Sequence, residues 1–373
     1  MAGIYLHIPF CKQACTYCNF HFSTSLHFKD ALIKALAKES ETEKGFIQGE
    51  PVKTIYFGGG TPSILNTTEL DFLLSNLHLN YIVTPDAEIT LEANPDDITL
   101  EKLKSWKEIG ITRLSIGIQS FFEEELRWMN RAHNAKQAIE SLLLARKEFD
   151  NITIDLIYGS PLLTNEMWRQ NIEKATELNI PHLSCYALTV EEKTPLYKLI
   201  KTRKTPDVEN EKQATQFLLL MQWLKERGYE HYEVSNFAKP GFRSRHNSSY
   251  WTGEKYLGLG PSAHSYNGSE RRWNPANNNL YIKGIEEGNV QREKETLTPT
   301  QKLNEYIMIS LRTAEGIDLR KLDREFGAED RIRIEQQLPK FVANRLITFN
   351  DSIVQLTNEG MLKADGIASE LFA

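Results

Sequence analysis

The chain has 373 residues, enough for two or three domains. Hydrophobic residues make up 40% and charged residues 25%, as in ordinary soluble globular proteins, and the formal net charge of −6 argues against broad electrostatic attraction to nucleic acid. Residues 1–9 lack the basic region and apolar core of a signal peptide, and no apolar run reaches transmembrane length.

The first element is a short apolar run at 4–8, a predicted strand, which leads into Cys11-Lys12-Gln13-Ala14-Cys15-Thr16-Tyr17-Cys18. Three of the four cysteines thus fall within eight residues, spaced Cys-x3-Cys-x2-Cys. Iron–sulfur clusters normally take four cysteine ligands. Three thiolates would fill three corners of a four-iron cluster and leave the fourth iron open, as a catalytic metal keeps an open position. A zinc site would need a fourth ligand from His7, His21 or His27, none of which has a paired spacing. A disulfide would leave one of the three without a local partner. Thiols meant to stay reduced point to the cytoplasm. Cys185 lies far off in an apolar run and reads as a buried core thiol.

Further β-rich runs follow at 54–57, 88–92, 113–118, 152–157 and 183–188. Between them, helical periodicity occupies 28–43, 68–77, 100–108, 135–148 and 166–178. Asn66 and Thr99 stand where N-caps belong, and Gly110 and Gly228 follow helix ends. Strands alternating with helices predict βα units and a parallel sheet. Six units are visible, fewer than a closed barrel needs, so the expected fold is an α/β partial, open TIM-type barrel over 1–228. Residues 229–292, rich in Gly, Asn, Ser, Tyr and Trp, read as strands and loops, and 293–299 as a polar connector. The remainder of 293–373 predicts helices at 300–312, 319–325 and 330–343 and then two short strands, a small α+β module of winged-helix-like character.

Parallel α/β folds place their sites at the C-terminal ends of strands. The first predicted strand ends in the cysteine loop, the second in Gly58-Gly59-Gly60-Thr61-Pro62, the third in Glu92-Ala93-Asn94, the fourth in Gln119-Ser120 and the fifth in Asp155 to Gly159. One polar strand end is ordinary; several on one rim beside a cysteine loop predict a site. The glycines would let the backbone approach a ligand and expose N–H groups to it.

These segments, with Tyr5-x-His7-Ile8-Pro9-Phe10-Cys11, Gly117-Ile118-Gln119-Ser120 and Asn130-Arg131-x-His133, resemble the radical S-adenosylmethionine (SAM) enzymes. The likeness is to the branch holding oxygen-independent coproporphyrinogen III oxidase and the HemW-type haem chaperones. The resemblance implies that Cys11, Cys15 and Cys18 bind a [4Fe–4S] cluster whose open iron chelates SAM. It implies a SAM pocket lined by Tyr5, Gly59, Gly60, Thr61, Glu92, Gln119, Arg131 and Asp155, with Ala187 near the adenine. Glu92 and Asp155 would accept hydrogen bonds from amino or hydroxyl groups, and Arg131 would pair with a carboxylate. In the family a one-electron reductant supplies the cluster, and SAM is cleaved to a 5′-deoxyadenosyl radical.

Within the branch, the oxidase pattern carries a further cysteine where Phe20 stands, and a longer segment ahead of the cysteine loop. Arg245-His246-Asn247-Ser248-Ser249-Tyr250-Trp251 matches the HNxxYW motif of the chaperones. The resemblance therefore implies a haem chaperone that delivers haem to respiratory haem proteins, without oxidase activity and with no catalytic residue to assign. His246 and His264 are the candidate haem ligands. The oxidase itself, decarboxylating coproporphyrinogen III, is the alternative, and a structural zinc adaptor is the third reading. By analogy, a homodimer and peripheral contact with membrane-bound recipients are further expectations, although no basic amphipathic helix calls for the latter.

Overall fold

A computed structural model describes all 373 residues. Six parallel strands form its centre: β1 (Ala2–Ile8), β2 (Val52–Gly59), β3 (Val83–Ala93), β4 (Arg113–Gln119), β5 (Ile152–Tyr158) and β6 (His182–Ala187). They lie side by side in chain order, with helices Lys29–Thr42, Thr67–Asn80, Leu100–Glu108, Ala135–Glu148 and Asn165–Glu177 in the connections. The capping box at Asn66 and the Thr99 side chain, which accepts from the Lys102 amide, start two of these helices as the sequence predicts.

The strands are rich in Ile, Leu and Val because each is covered on one face by helices and packs into the barrel on the other. Three strands are interrupted once each: β1, β4 and β5 are buried throughout except at Tyr5, Gly117 and Asp155. Along β3 from Ala87 to Ala93 the single break is Glu92. These breaks mark where the barrel interior is hollow.

The sheet continues beyond the six strands at both edges. On one side β6 pairs antiparallel with β8 (Asn236–Ala238), which pairs with β7 (Glu230–Glu233). On the other, β9 (Lys255–Leu259) runs parallel to β1 and is followed by antiparallel β10 (His264–Tyr266), β11 (Glu270–Trp273) and β12 (Glu293–Thr296). The resulting sheet has twelve strands and two free edges, so the barrel is open.

Two expectations are corrected here. Residues 229–292 are not strands and loops alone, since they hold the helices Arg245–Thr252 and Asn278–Glu287. The first carries HNxxYW, whose Ser, Asn, Tyr and Trp residues mask helical periodicity; its start is fixed by Ser244 accepting from the Asn247 amide, and Gly253 in left-handed conformation ends it. Part of 293–299 is the edge strand β12, not a connector.

Core packing falls into two large bodies and one small cluster of Met129, Ile157, Leu188 and Leu196. One cluster of 56 buried residues runs from Ala2 to Ile285, and a separate one of 15 spans Leu303 to Leu371. The second belongs to helices Pro299–Leu311, Leu319–Phe326 and Ala328–Ala343 and a small antiparallel sheet formed by β13 (Ile317–Asp318), β15 (Ile353–Leu356) and β14 (Ile347–Asn350), in that order. The module is fastened to β7 by backbone hydrogen bonds from Val234 to Arg312 and from Ala314 to Tyr232, both 3.0 Å.

Candidate functional site

The C-terminal ends of the parallel strands surround a cavity of about 490 Å³. The cysteine loop forms one wall, with Cys11, Cys15 and Cys18 all half-buried and unpaired. Tyr5, Gly59, Gly60, Thr61, Glu92, Gln119, Arg131, Asp155 and Ala187 line the remainder. Every cluster and SAM residue named from the sequence therefore meets in one place.

Local chemistry holds the loop there. The Cys11 amide donates to the Ser23 carbonyl at 3.0 Å, and the Thr16 amide to the Met129 carbonyl at 3.1 Å. Asn130, in left-handed conformation, donates through Nδ2 to the Ala14 carbonyl at 2.7 Å and accepts from Gln13 Nε2 at 2.9 Å. Lys12 pairs with Asp96 and Asp97 beyond the end of β3. Arg131 follows directly, with Nη1 3.2 Å from Cys15 Sγ and Nη2 2.8 Å from both Asn94 Oδ1 and the Gly117 carbonyl. Its Nε has no protein partner.

The glycines play a different part from the one expected. The Gly59 amide donates to Glu92 Oε2 at 3.2 Å, the Gly60 amide to the Ile8 carbonyl at 2.9 Å and the Thr61 amide to the Phe10 carbonyl at 2.7 Å. None of these N–H groups is free for a ligand. What Gly60 supplies is closeness: a Cβ there would sit 2.7 Å from the Phe10 carbonyl oxygen and 2.8 Å from that of Ile8. The loop can thus be stitched to the end of β1 just before the first cysteine.

The carboxylates are held in unusual states. Burial, reinforced by nearby Asp155, pushes Glu92 up to about 7, while the Tyr56 hydroxyl donates to Glu92 Oε1 at 2.8 Å. Burial pushes Asp155 up to about 6. Arg113, fully buried at the start of β4, pulls both back down. Gln119 ends β4 with φ of 67°, a conformation that costs a non-glycine residue energy.

The cavity fits a thiolate-bound cluster. Three half-buried thiols face it, and an arginine donor touches one of them. The histidines beside the loop are committed elsewhere. His7 Nδ1 meets the Tyr5 hydroxyl at 3.1 Å and its Nε2 the His21 carbonyl at 2.9 Å, and His21 Nε2 meets Asn278 Oδ1 at 2.7 Å. Burial lowers His7 to about 4, so it is neutral.

The two haem-ligand candidates lie elsewhere. His246 is buried at 1% exposure, with Nδ1 2.8 Å from Thr54 Oγ1 and Nε2 2.9 Å from the Tyr250 hydroxyl, and its ring stacks on Tyr56 with centroids 4.9 Å apart. Burial holds it neutral, near 3. Both ring nitrogens are occupied, which leaves none for iron in this conformation. His264 faces outward and stacks on Trp273 at 5.5 Å. The sequence places Asn94 on the rim but assigns it no part in the pocket, where it joins Thr61 and Arg131; it sits two residues beyond Glu92, where a strand's period of two points back to the same side. Sequence reasoning missed Arg113, which a strand-end rule does not reach.

The Radical SAM superfamily profile matches residues 5–175 and that of the HemN C-terminal domain residues 297–362. "Heme chaperone HemW" of Bacillus subtilis is 33% identical over 368 residues, covering 97% of each chain. That of Escherichia coli is 32% identical, covering 99% of this chain and 97% of its own length. Among solved structures, coproporphyrinogen III oxidase (HemN) from Escherichia coli, described as a radical SAM enzyme, aligns with a TM-score of 0.85 at 25% identity, covering 100% of this chain and 90% of that one.

Proposed function

The chain belongs to the HemW family of radical SAM proteins, and from that premise we propose that it is a haem chaperone, one that binds haem and passes it to haem-dependent respiratory proteins. The observation that carries the reading is identity of about a third over nearly the full length of relatives named for that task. A [4Fe–4S] cluster and SAM are the family's cofactors, and Cys11, Cys15 and Cys18 are the residues that would hold the cluster. Together the two supply one-electron chemistry when a reductant is present.

The chain's own groups do the positioning. Arg131 fixes the cysteine loop against the ends of β3 and β4 and keeps positive charge beside thiolate sulfur. Glu92 and Asp155 line the same cavity and would accept hydrogen bonds from the donors of bound SAM. Tyr5 and Ala187 also line this cavity and would bound the organic portion of the cofactor. No helix is long and apolar enough to cross a membrane. A reducing compartment such as the cytoplasm suits three unpaired ligand thiols.

Titration of cluster-loaded protein with haem tests the reading: a saturable Soret band is expected, and its absence would sink it. The oxidase fold match makes oxidative decarboxylation the second reading. An anaerobic assay with SAM, a reductant and coproporphyrinogen III is expected to yield no protoporphyrinogen at a catalytic rate.

A further inference from the structure

The parallel strands carry two unlike faces. Ile89 and Leu91 on β3, Leu114 and Ile116 on β4, and Ile154 and Leu156 on β5 belong to the main hydrophobic core. The residues one place along, which a strand's period of two turns to the barrel interior, are polar. Thr90, Arg113, Ser115 and Thr153 are buried there, and Glu92 and Asp155 line the cavity above.

Register fixes the layers. Ser115, level with Glu92, and Gly117, level with Asp155, both line the cavity. Arg113, level with Thr90, comes two residues before Ser115 on the same face, about 7 Å lower. It therefore lies beneath the cavity floor, at 1% exposure. None of its three guanidinium nitrogens has a hydrogen-bond partner in the protein. A buried guanidinium in that position is costly unless nearby negative charge offsets it.

The other charges of the interior are engaged elsewhere. Glu88, lower on β3, accepts from the Arg245 and His246 amides. Glu233 on β7 has Arg312 as its cation. Arg131 is bonded to Cys15, Asn94 and Gly117. Burial, and then the charge of Arg113, lower His182 and His246, so both are neutral. Burial raises Tyr5, Tyr56, Tyr186, Tyr232, Tyr250 and the Cys185 thiol, which keep their protons. Glu92 and Asp155 are left. Burial raises both, and Arg113 opposes it, on Asp155 more strongly than Arg131 does.

We propose that Arg113 is a positioning residue for the SAM pocket: from beneath the floor its charge keeps Glu92 and Asp155 ionised, the state in which each can only accept hydrogen bonds from the cofactor. Arg113 does not line the cavity, so it acts through the two carboxylates. The proposal rests on SAM occupying this cavity.

SAM binding to the cluster-loaded full chain, measured from about pH 6 to about pH 9 at matched iron content, tests it with R113Q and R113K. Wild type should bind more tightly as pH rises through 6 and 7. R113Q removes the charge and should displace that rise by about one pH unit or more toward alkaline. Its affinity should be about tenfold lower near neutrality and within about threefold of wild type at pH 9. R113K keeps a charge without the planar fork and should follow the wild-type profile. The ligand's own titration is common to all three. In cofactor-free protein the carboxylic-acid infrared band should show the same displacement in R113Q, which reads the effect without SAM. R113Q weaker by one factor at every pH would mark a merely structural residue and overturn the proposal, as would R113K displaced as far as R113Q. A wild type that binds no SAM overturns the cofactor reading and the proposal with it; an infrared band that still moves in R113Q then places the failure in the cofactor and not in Arg113.

Discussion

The Arg131 guanidinium lies 3.2 Å from the Cys15 sulfur while its other terminal nitrogen reaches Asn94 and Gly117. One planar fork thus joins the cysteine loop to two strand ends. A lysine, with a single compact ammonium, cannot span these acceptors. Both R131K and R131M should therefore lower SAM affinity by about tenfold or more, since hydrogen bonds to charged groups contribute about 1.5–3 kcal/mol each. Equilibrium dialysis with SAM, at matched iron content, checks it; wild-type affinity in R131M would show that the arginine serves only the loop.

Cys15→Ala should abolish cluster assembly, because two thiolates leave two irons of a cubane without protein ligands. Cys185→Ala should not, since that thiol is buried in β6 at 2% exposure and burial raises it far from the thiolate state. Iron and sulfide analysis after anaerobic reconstitution separates the two. Loss of iron from the Cys185 variant would mean the ligand assignment is wrong.

The barrel was legible because its strands and helices alternate with sharp boundaries: the helices Leu100–Glu108 and Ala135–Glu148 begin and end where their periodicity does. The rim was legible for a related reason. Polar residues that end apolar strands stand out, and Glu92, Gln119 and Asp155 proved to share one cavity. The glycine segment misled because spacing reports where backbone can approach, not which amides are already bonded. His246 misled similarly: its partners Thr54 and Tyr250 come from β2 and from its own helix, and only the folded chain shows that both nitrogens are taken.

Glu92 gives the site a pH dependence. Its ordinary value near 4.5 is raised to about 7 in the fold, and that of Asp155 from 3.8 to about 6. The folded state therefore holds these protons more tightly than the unfolded chain. The stability they contribute is complete below about pH 4 and is lost as pH rises through 6 and 7. In cofactor-free protein, E92Q should be more stable than wild type at pH 8 by about 2 kcal/mol, because one pH unit of displacement corresponds to about 1.4 kcal/mol and cavity water screens part of it. At pH 4, where both the folded and the unfolded chain hold the proton, the advantage should all but vanish. Urea unfolding at the two pH values measures the difference; equal gains at both would assign the effect to packing.

His246→Ala should destabilise the fold by about 1–3 kcal/mol for each buried hydroxyl it strands, on Thr54 and on Tyr250, besides the lost ring stack. His264→Ala, at an outward-facing position, should change stability by less than about 0.5 kcal/mol. Denaturant midpoints distinguish the pair. An unaffected midpoint in the His246 variant would mean that water replaces the ring and that the side chain is available for other work.

The helix that bears His246 closes the N-terminal end of the barrel: its Arg245 and His246 amides donate to Glu88 on β3, and the His246 ring lies over Tyr56. The strand ends that meet the cysteines are at the opposite mouth. A molecule held outside this stopper would be separated from the cysteine loop by the depth of the barrel. Any influence between the two ends must pass as a change in affinity, and thermodynamic reciprocity then requires each occupant to alter the other's binding by the same factor.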